Sequence, residues 1–197
     1  MGRLDLARLN SIHPIIECQQ DCSCDPHECK RRVVQNGCQV KLDVVETNGK
    51  GFGLITRDPI RAGSFVIEYM GELIGRDEAM RLLGERHGEP NYLMFIRESY
   101  ERTREEKVTI IDAKHYANRA RFINHSCQPN LFLMPVRFDN MMAHGALFAL
   151  RDIDAGAELS YDYHGSIGSP TSGSNETERS SIKCHCGSLE CKGFLPS

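Results

Sequence analysis

The stretch RFINHSCQPN, from Arg121 to Asn130, decides how this chain folds and what it can do. Further along come ELSYDY, from Glu158 to Tyr163, and a C-x-C-x4-C tail formed by Cys184, Cys186 and Cys191. Each motif is a weak signal on its own. Their combination, in this order along the chain, is specific enough to carry a functional interpretation.

Length and charge narrow the classes to which the chain can belong. At 197 residues it is long enough for one domain with a sizeable core. Lys and Arg total 24 against 27 Asp and Glu, which argues against a nucleic-acid binder with a broad basic face. No stretch approaches the roughly 18 apolar residues of a membrane helix, and MGRLDLARLN lacks the apolar core of a signal peptide. We therefore expect a reducing compartment, cytosolic or nuclear.

Nine cysteines are many for a protein of a reducing compartment. Closely spaced cysteines there indicate metal ligands rather than disulfides. The stretch 17–30 is polar and turn-rich, so a metal could hold it together where an apolar core cannot. One cluster comprises Cys18, Cys22, Cys24, Cys29 and Cys38, a second comprises Cys184, Cys186 and Cys191, and Cys127 stands alone between them.

Short apolar runs broken by glycine, proline and turn residues dominate the chain from residue 39 onward, which predicts a β-rich α+β fold. An amphipathic helix is predicted over Gly75–Arg86, with Asp77 as its N-cap, and a second short helix over Ala113–Ala120. The predicted strands are 40–45, 52–56, 64–70, 92–96, 108–112, 131–136, 145–150 and 158–163.

Two polar stretches interrupt this pattern. Residues 166–182 are rich in Ser, Gly and Thr and predict a flexible linker. The charged run RESYERTREEK, 97–107, could line a substrate groove, but a solvated hairpin explains it better.

Taken together, the Asn-His motif, ELSYDY and the cysteine tail resemble the core of the SET-domain protein lysine methyltransferases, over nearly the whole chain. The resemblance implies a SET fold of short strands in several small sheets, with a pseudoknot where the ELSYDY strand passes near the Asn-His segment. It implies four regions, namely a partial pre-SET region at 14–38, the SET domain at 39–165, the linker at 166–182 and a post-SET zinc tail at 183–197.

The resemblance also implies zinc at the tail. Structural zinc takes four ligands in a tetrahedron, so Cys184, Cys186 and Cys191 require a fourth, and Cys127 is the candidate. The alternative is a buried free cysteine at 127 with a loose tail.

The first cluster resembles the second half of a pre-SET region, in which nine cysteines hold three zinc ions. Five of those nine lie upstream in the family, and no cysteine precedes Cys18 here. We therefore expect a reduced or incomplete cluster, with a metal-free loop as the alternative. Its candidate ligands are Cys18, Cys22, Cys24 and Cys29, with Cys38 or His27 as further candidates.

S-adenosylmethionine is the cofactor that the resemblance implies. The turn GKGFG, 49–53, is a weak signal alone because most G-x-G turns are only turns, but the matching turn in the family lets the backbone approach the cofactor. For His125 taken alone, a buried core histidine is the alternative. The candidate cofactor-binding residues are Lys50, Gly51, Phe52, Gly53, Tyr92, Arg121, Asn124, His125 and Phe194, with Leu195 as the alternative to Phe194.

Methyl transfer from a sulfonium to an amine is an in-line displacement that requires a neutral lysine nitrogen about 3 Å from the methyl carbon. A narrow apolar channel suits this reaction, because burial and the sulfonium charge both lower the pKa of the lysine. Tyrosine suits the channel wall, since its ring is apolar and its hydroxyl can orient the amine.

ELSYDY supplies two such tyrosines, Tyr161 and Tyr163, which strand alternation places on one face. By resemblance Tyr163 is the catalytic tyrosine, Tyr92 a second channel tyrosine, and Tyr161 the residue of the family's Tyr/Phe switch. A tyrosine at the switch implies mainly mono- or dimethylation. The alternative is that all three are half-buried strand tyrosines. The stretch EYMGE, 68–72, also matches the family and is interpreted as structural.

The resemblance implies a histone H3 tail as substrate, chromatin as partner, and the nucleus and chromosome as location. The pre-SET type suggests lysine 9, whereas the likeness of residues 130–165 to SET–mariner transposase fusions suggests lysine 36, and both stay open. No sequence-specific nucleic-acid or membrane partner is expected. The alternatives are a chromatin module that binds a lysine-bearing peptide without turnover, and a methyltransferase of non-histone proteins.

Overall fold

The computed structural model describes residues 3–6, 14–85, 91–100, 105–138, 142–163 and 182–196. Of the predicted linker at 166–182, only Ile182 falls within these ranges, so the prediction of flexibility lies outside the described residues.

Short strands dominate the described part of the chain, which confirms the β-rich α+β prediction. The helix α1 spans Arg76–Glu85, and a 3₁₀-helix spans Arg119–Phe122. Within the described residues no helix has the length and apolar character needed to cross a membrane. The strands are β1 Ile15–Ile16, β2 Leu42–Thr47, β3 Gly51–Thr56, β4 Phe65–Tyr69, β5 Glu72–Ile74, β6 Leu93–Tyr100, β7 Glu105–Asp112, β8 Asn124–His125, β9 Leu131–Arg137, β10 His144–Ala149 and β11 Ser160–Tyr161.

The strands form several small sheets. One has the order β1-β9-β10-β4, a second the order β5-β7-β6, and two ribbons pair β2 with β3 and β8 with β11. Strands β9 and β10 are buried along almost their whole length. Their sequences are therefore continuous apolar runs rather than alternating ones.

Two apolar clusters support different parts of the surface. The larger cluster contains Leu54, Ile123 and Leu159, each at most 1% exposed, and Tyr92 and Tyr161 pack against it. The smaller cluster is built around Val136 and Phe148 and includes Val34. The cysteine-rich stretch near the start therefore rests on a different part of the core from the predicted site.

Strands β8 and β11 pair in parallel, with Ser160 opposite Asn124 and Tyr161 opposite His125. The buried Asn130 fixes this pairing, because its Nδ2 donates to Glu158 O and its Oδ1 accepts from Ser160 N, both at 2.8 Å. The strand of ELSYDY thus lies against the Asn-His segment, as the resemblance implied.

The short helix predicted over Ala113–Ala120 is wrong, since only Arg119–Phe122 forms a 3₁₀-helix. Asp112 Oδ1 accepts a hydrogen bond from Lys114 N at 2.9 Å, and Asn118 Oδ1 accepts one from Ala120 N at 3.1 Å. These side chains take over backbone donors that a helix would use, which is how Asp and Asn compete with helix formation.

The predicted hairpin over 97–107 is present as β6 and β7, but it is not simply solvated. Glu98 is fully buried and pairs with Arg137 on β9, whose Nε and Nη2 donate to its carboxylate at 2.8 and 2.6 Å. A buried carboxylate requires such a partner, so one acidic residue of the run belongs to the core.

Candidate active site

Four tyrosines converge beside β8 and β11. The rings of Tyr161 and Tyr163 lie 4.8 Å apart, centroid to centroid. The Tyr163 hydroxyl donates to Ile123 O at 2.9 Å, and the Tyr69 hydroxyl donates to Tyr92 O at 3.0 Å. The three predicted channel tyrosines are therefore joined by a fourth from β4.

Burial raises the pKa of Tyr161 well above its ordinary value, and the neighbouring Tyr163 and Tyr69 raise it further. Burial, followed by the charge of Tyr92, also raises the pKa of Tyr163. Tyr163 is 39% exposed as a residue, but its hydroxyl is turned inward to a backbone carbonyl. These hydroxyls consequently remain neutral, and they can donate hydrogen bonds without adding charge.

The imidazole of His125 joins the tyrosine strand to the cysteine tail. It is buried, its Nδ1 accepts from Tyr163 N at 3.2 Å, and its Nε2 lies 3.4 Å from Cys127 Sγ. An Nδ1 that accepts leaves Nε2 to donate toward the sulfur, and the Asp162 carboxylate lies 3.6 Å from the same Nδ1. The cofactor-binding role predicted for His125 stays a prediction, beside this structural link.

Asn124 connects the glycine-rich turn to Glu158, two residues before β11. Its Nδ2 donates to Phe52 O at 3.0 Å and to Glu158 Oε1 at 2.9 Å. Lys50 Nζ donates to both oxygens of the same Glu158 carboxylate, at 2.8 and 2.7 Å. The turn and the Asn-His segment, which the sequence placed at one site, are thus held together by one carboxylate.

At Gly53 the backbone of the turn lies so close to Thr47 and Glu158 that a side chain would not fit. A Cβ atom there would lie 2.5 Å from Thr47 Cγ2 and 2.9 Å from Glu158 Oε1. Both distances are shorter than real Cβ contacts, so a side chain at this position would displace the Glu158 carboxylate from Asn124 and Lys50.

Arg121 contributes a donor that lacks an acceptor. Its guanidinium carbon lies 4.3 Å from the centroid of the Tyr92 ring, and its Nη1 donates to Lys114 O at 3.0 Å. Within the described residues its buried Nε has no hydrogen-bond partner. A buried donor without a partner is costly, and an anionic group that reached this nitrogen would remove that cost.

Exposed aromatic rings are present on the turn and on the tail. Phe52 is 54% exposed and meets Phe122 edge-on, with ring centroids 6.0 Å apart. Phe194 is 45% exposed and forms a bridge with Lys183. Flat apolar surfaces of this kind suit an adenine ring, and the participation of Phe194 stays a prediction.

Cys127 meets the three tail cysteines, as the four-ligand hypothesis requires. The sulfurs of Cys127, Cys184, Cys186 and Cys191, which we call the tail group, all lie within 4.8 Å of one another. Cys127 Sγ and Cys184 Sγ are 3.9 Å apart, close to the roughly 3.8 Å edge of a tetrahedron with Zn–S bonds of about 2.3 Å. The donor set therefore fits structural zinc.

The thiols of the tail group have different pKa values, because burial and hydrogen bonds act on them unequally. Burial raises the pKa of Cys184 to about 12. Burial also acts on Cys186, but hydrogen bonds from Ser188 and from the backbone of Cys127 outweigh it and lower its pKa to about 5. The Cys186 sulfur is thus readily ionised, whereas a metal would have to displace the proton of Cys184.

Three cysteines near the start form a second cluster. The sulfurs of Cys18, Cys24 and Cys29, which we call the N-terminal group, lie within 4.8 Å of one another. The predicted ligand Cys22 is exposed and stands outside this group, although its sulfur accepts a hydrogen bond from Gln19 N at 3.3 Å. Three thiolates suit zinc but leave its fourth position to another ligand.

Sequence reasoning missed two residues of the site. Tyr69 was interpreted as structural, yet its buried hydroxyl reaches the backbone of Tyr92. Glu158 was not singled out, although it binds Lys50 and Asn124. The signal for Glu158 was its place as the first residue of ELSYDY, whereas nothing in the EYMGE pattern distinguishes a channel tyrosine from a core tyrosine.

The SET domain family model matches residues 51–164 of this chain. The rat protein named histone-lysine N-methyltransferase SETMAR is 42% identical over 189 residues, which is 93% of this chain and 59% of the rat protein. The human form is 40% identical, and the chain spans 27% of its length.

Solved structures agree with these sequence matches. The methyltransferase domain of human SETMAR superposes with a TM-score of 0.80 at 36% identity, over 94% of this chain and 69% of that one. Arabidopsis thaliana SUVH6 in complex with SAM gives a TM-score of 0.74 at 33% identity, over 91% of this chain and 38% of that one.

Proposed function

The chain belongs to the SET-domain family, and on that premise we propose that it transfers methyl groups from S-adenosylmethionine to lysine side chains of histone H3. The observation that carries this proposal is the convergence of Tyr161 and Tyr163 with the Asn124–His125 pair, through the parallel pairing of β8 and β11. The relatives are named histone-lysine methyltransferases, which supports the same reaction class.

When bound, the cofactor supplies an electrophilic methyl group on a sulfonium. The protein's part is to deliver a neutral amine in line with it. A free lysine has a pKa of about 10.4, and transfer into the tyrosine-walled channel that we propose would lower that value, because burial penalises the ammonium. The Tyr163 hydroxyl donates to Ile123 O. In our proposal the hydroxyl oxygen and this carbonyl oxygen then orient the amine nitrogen.

We assign cofactor binding to the turn Lys50–Gly53, the segment from Arg121 to His125, Tyr92 and Phe194. The unpartnered Nε of Arg121 supports this assignment, because an anionic ligand would satisfy it. The exposed rings of Phe52 and Phe194 would cover the apolar part of the cofactor.

We also propose that the tail group and the N-terminal group each bind zinc. The chain would then consist of a partial pre-SET region at 14–38, the SET domain at 39–165, a linker at 166–182 and a post-SET tail at 183–197. The convergence of four thiols supports the tail site, and that of three thiols supports the other. The substrate class is lysine 9 or lysine 36 of the H3 tail, in the nucleus and on chromosomes. Separate H3 peptides centred on each lysine would choose between them.

The experiment that tests the proposal is incubation of the purified zinc-loaded chain with radiolabelled S-adenosylmethionine and either histones or a histone-depleted cell extract. Label on H3 supports the proposal, and label confined to non-histone bands would redirect it to other protein substrates. Retained binding of an H3 peptide with no label anywhere would indicate a binding module instead.

Tyr163→Phe provides the matched variant, since it removes only the hydroxyl. We expect a loss of label of at least about 100-fold, because misplacing a reacting group by an ångström costs that much, with cofactor affinity nearly unchanged. Tyr116→Phe is the control, as Tyr116 is 70% exposed. Equal activity of the two variants would contradict the role of Tyr163.

The degree of methylation tests Tyr161. Its ring lies 4.8 Å from that of Tyr163, and in our proposal its hydroxyl retains a water that crowds the amine and limits further methylation. Wild-type protein should give mainly mono- and dimethyl-lysine by mass spectrometry. Tyr161→Phe should shift products toward higher methylation, and an unchanged product distribution would rule out the steric explanation.

A further inference from the structure

A buried arginine lies against the N-terminal group. Arg32 is 6% exposed, and its Nη2 is 4.0 Å from Cys24 Sγ. The same nitrogen donates to Gln19 O, on the other side of the cysteine loop. Within the described residues, the buried Nε of Arg32 has no hydrogen-bond partner. The guanidinium therefore has donor capacity that the protein's own atoms leave unused.

The position of Arg32 is fixed by its neighbours rather than by the cysteines. The buried Glu17 carboxylate accepts from Val33 N at 2.8 Å and from Val34 N at 2.7 Å, which pins the backbone that follows Arg32. Gln35 completes the frame, since its Nε2 donates to Glu17 Oε2 at 3.0 Å and its Oε1 accepts from Arg32 Nη1 at 2.9 Å. The guanidinium is thus held by contacts with residues other than the cysteines.

Charge supplies the reason for such an arrangement. A buried guanidinium requires an anionic partner, because leaving a buried charge uncompensated is strongly unfavourable. Three thiolates around a divalent metal carry a net charge of −1, from three charges of −1 and one of +2. Arg32 would balance that charge, and its Nη2, which is 4.0 Å from Cys24 Sγ, would donate to a metal-bound sulfur. Partners of this kind orient ligands and strengthen metal binding.

We infer that Arg32 is a positioning residue of the N-terminal metal site, which holds the thiolates of Cys18, Cys24 and Cys29 by charge and by hydrogen bonding without touching the metal. The inference rests on the proposed presence of a metal in that group. It is independent of the methyl-transfer reaction and of the tail group.

The test is the rate at which zinc leaves the full-length, zinc-loaded chain after a colorimetric chelator is added. Two kinetic phases are expected, one from each cysteine group. Cys18→Ser should remove one phase and Cys191→Ser the other, which assigns them. Arg32→Gln is then compared with Arg31→Gln, whose side chain is exposed and next in sequence.

Arg32→Gln should accelerate the phase of the N-terminal group by about 10- to 100-fold, with the tail phase unchanged, whereas Arg31→Gln should leave both phases at wild-type rates. Equal rates for the two variants would overturn the inference and leave the metal site standing. A Cys18→Ser chain with wild-type zinc content would instead overturn the metal site, and the inference with it.

Arg32→Lys provides a second variant in case the glutamine chain does not fold. It keeps the positive charge but loses the fork of donors. Zinc should leave this variant faster than wild type and more slowly than Arg32→Gln where both fold. Release at the wild-type rate would show that the guanidinium geometry is irrelevant, and would overturn the hydrogen-bonding part of the inference.

Discussion

The two cysteine groups of this protein differ in what surrounds their sulfurs. The tail group has four thiols and touches the imidazole of His125, which also contacts the backbone of Tyr163. The N-terminal group has three thiols and touches a guanidinium, Arg32, which is fixed by Glu17 and Gln35. The tail group is therefore connected to the candidate site, and the N-terminal group to the surrounding residues Glu17 and Gln35, although both groups would hold the same metal.

This difference shows that similar ligand sets can serve unlike purposes in one chain. Cys127 lies two residues after His125, so a metal in the tail group would fix the segment that carries the site. The loop of the N-terminal group is followed by Val34, which packs in the smaller apolar cluster around Val136 and Phe148. A metal there would stabilise the part of the fold around the smaller apolar cluster, without contacting the tyrosines of the candidate site.

The largest expected effect comes from removing one ligand of each group. Cys191→Ser should weaken cofactor binding by at least about 100-fold, because structural zinc contributes on the order of 10 kcal/mol to the fold that it organises. Cys18→Ser should change that affinity by less than about threefold, since the loop that carries it leads into the smaller apolar cluster, whereas Tyr92 and Tyr161 pack against the larger one. Calorimetric titration with S-adenosylmethionine measures both, and equal losses would show that the groups are not separate.

A smaller effect is expected from Glu17→Gln, which tests the framework of the N-terminal group. An amide nitrogen in place of either Glu17 oxygen would face Val33 N and Val34 N or the donors of Gln35, so the variant should lose about 2–3 kcal/mol of unfolding free energy. Urea denaturation measures this loss. Glu28→Gln, on an exposed residue of the same loop, serves as control, and similar unfolding midpoints for the two would refute the framework role.

The smallest expected effect on cofactor affinity comes from a substitution in the glycine-rich turn, 49–53, which belongs to the candidate site. Gly53→Ala should weaken cofactor binding by about tenfold, or about 1.4 kcal/mol, because its Cβ displaces Glu158 from Asn124 and Lys50. Gly84→Ala meets nothing within 4 Å in α1 and should instead stabilise the helix by about 0.5–1 kcal/mol. The prediction fails if affinity is retained in a folded Gly53→Ala chain.

Much of the fold could be predicted because long apolar runs report burial directly. The strands β9 and β10 and the helix α1 lie where their patterns placed them. The strands β1, β5 and β8 were missed because two or three residues cannot show a periodicity. The helix predicted over 113–120 failed because the side chains of Asp112 and Asn118 bond to nearby backbone groups, a preference that apolar spacing does not reveal.

Residues of the candidate site could be predicted only where they belong to a recognisable sequence motif. Tyr161, Tyr163, Asn124 and His125 could be placed together because two motifs contain them, and the structure pairs those motifs. The contact between His125 and Cys127 and the role of Glu158 depend on which way side chains turn across a parallel pair of strands. The burial of Glu98 likewise depends on Arg137, a residue remote in sequence.

The parallel pairing of β8 and β11 has a consequence for the order in which the molecule is made. Parallel neighbours require a long crossover, and closing such a loop is entropically slow. Here the crossover runs through β9 and β10, so the partner that β8 needs lies on the far side of a whole hairpin. During synthesis β8 therefore waits for residues 160–161 to emerge, and we expect the pairing that joins the Asn-His segment to ELSYDY to be among the last to form.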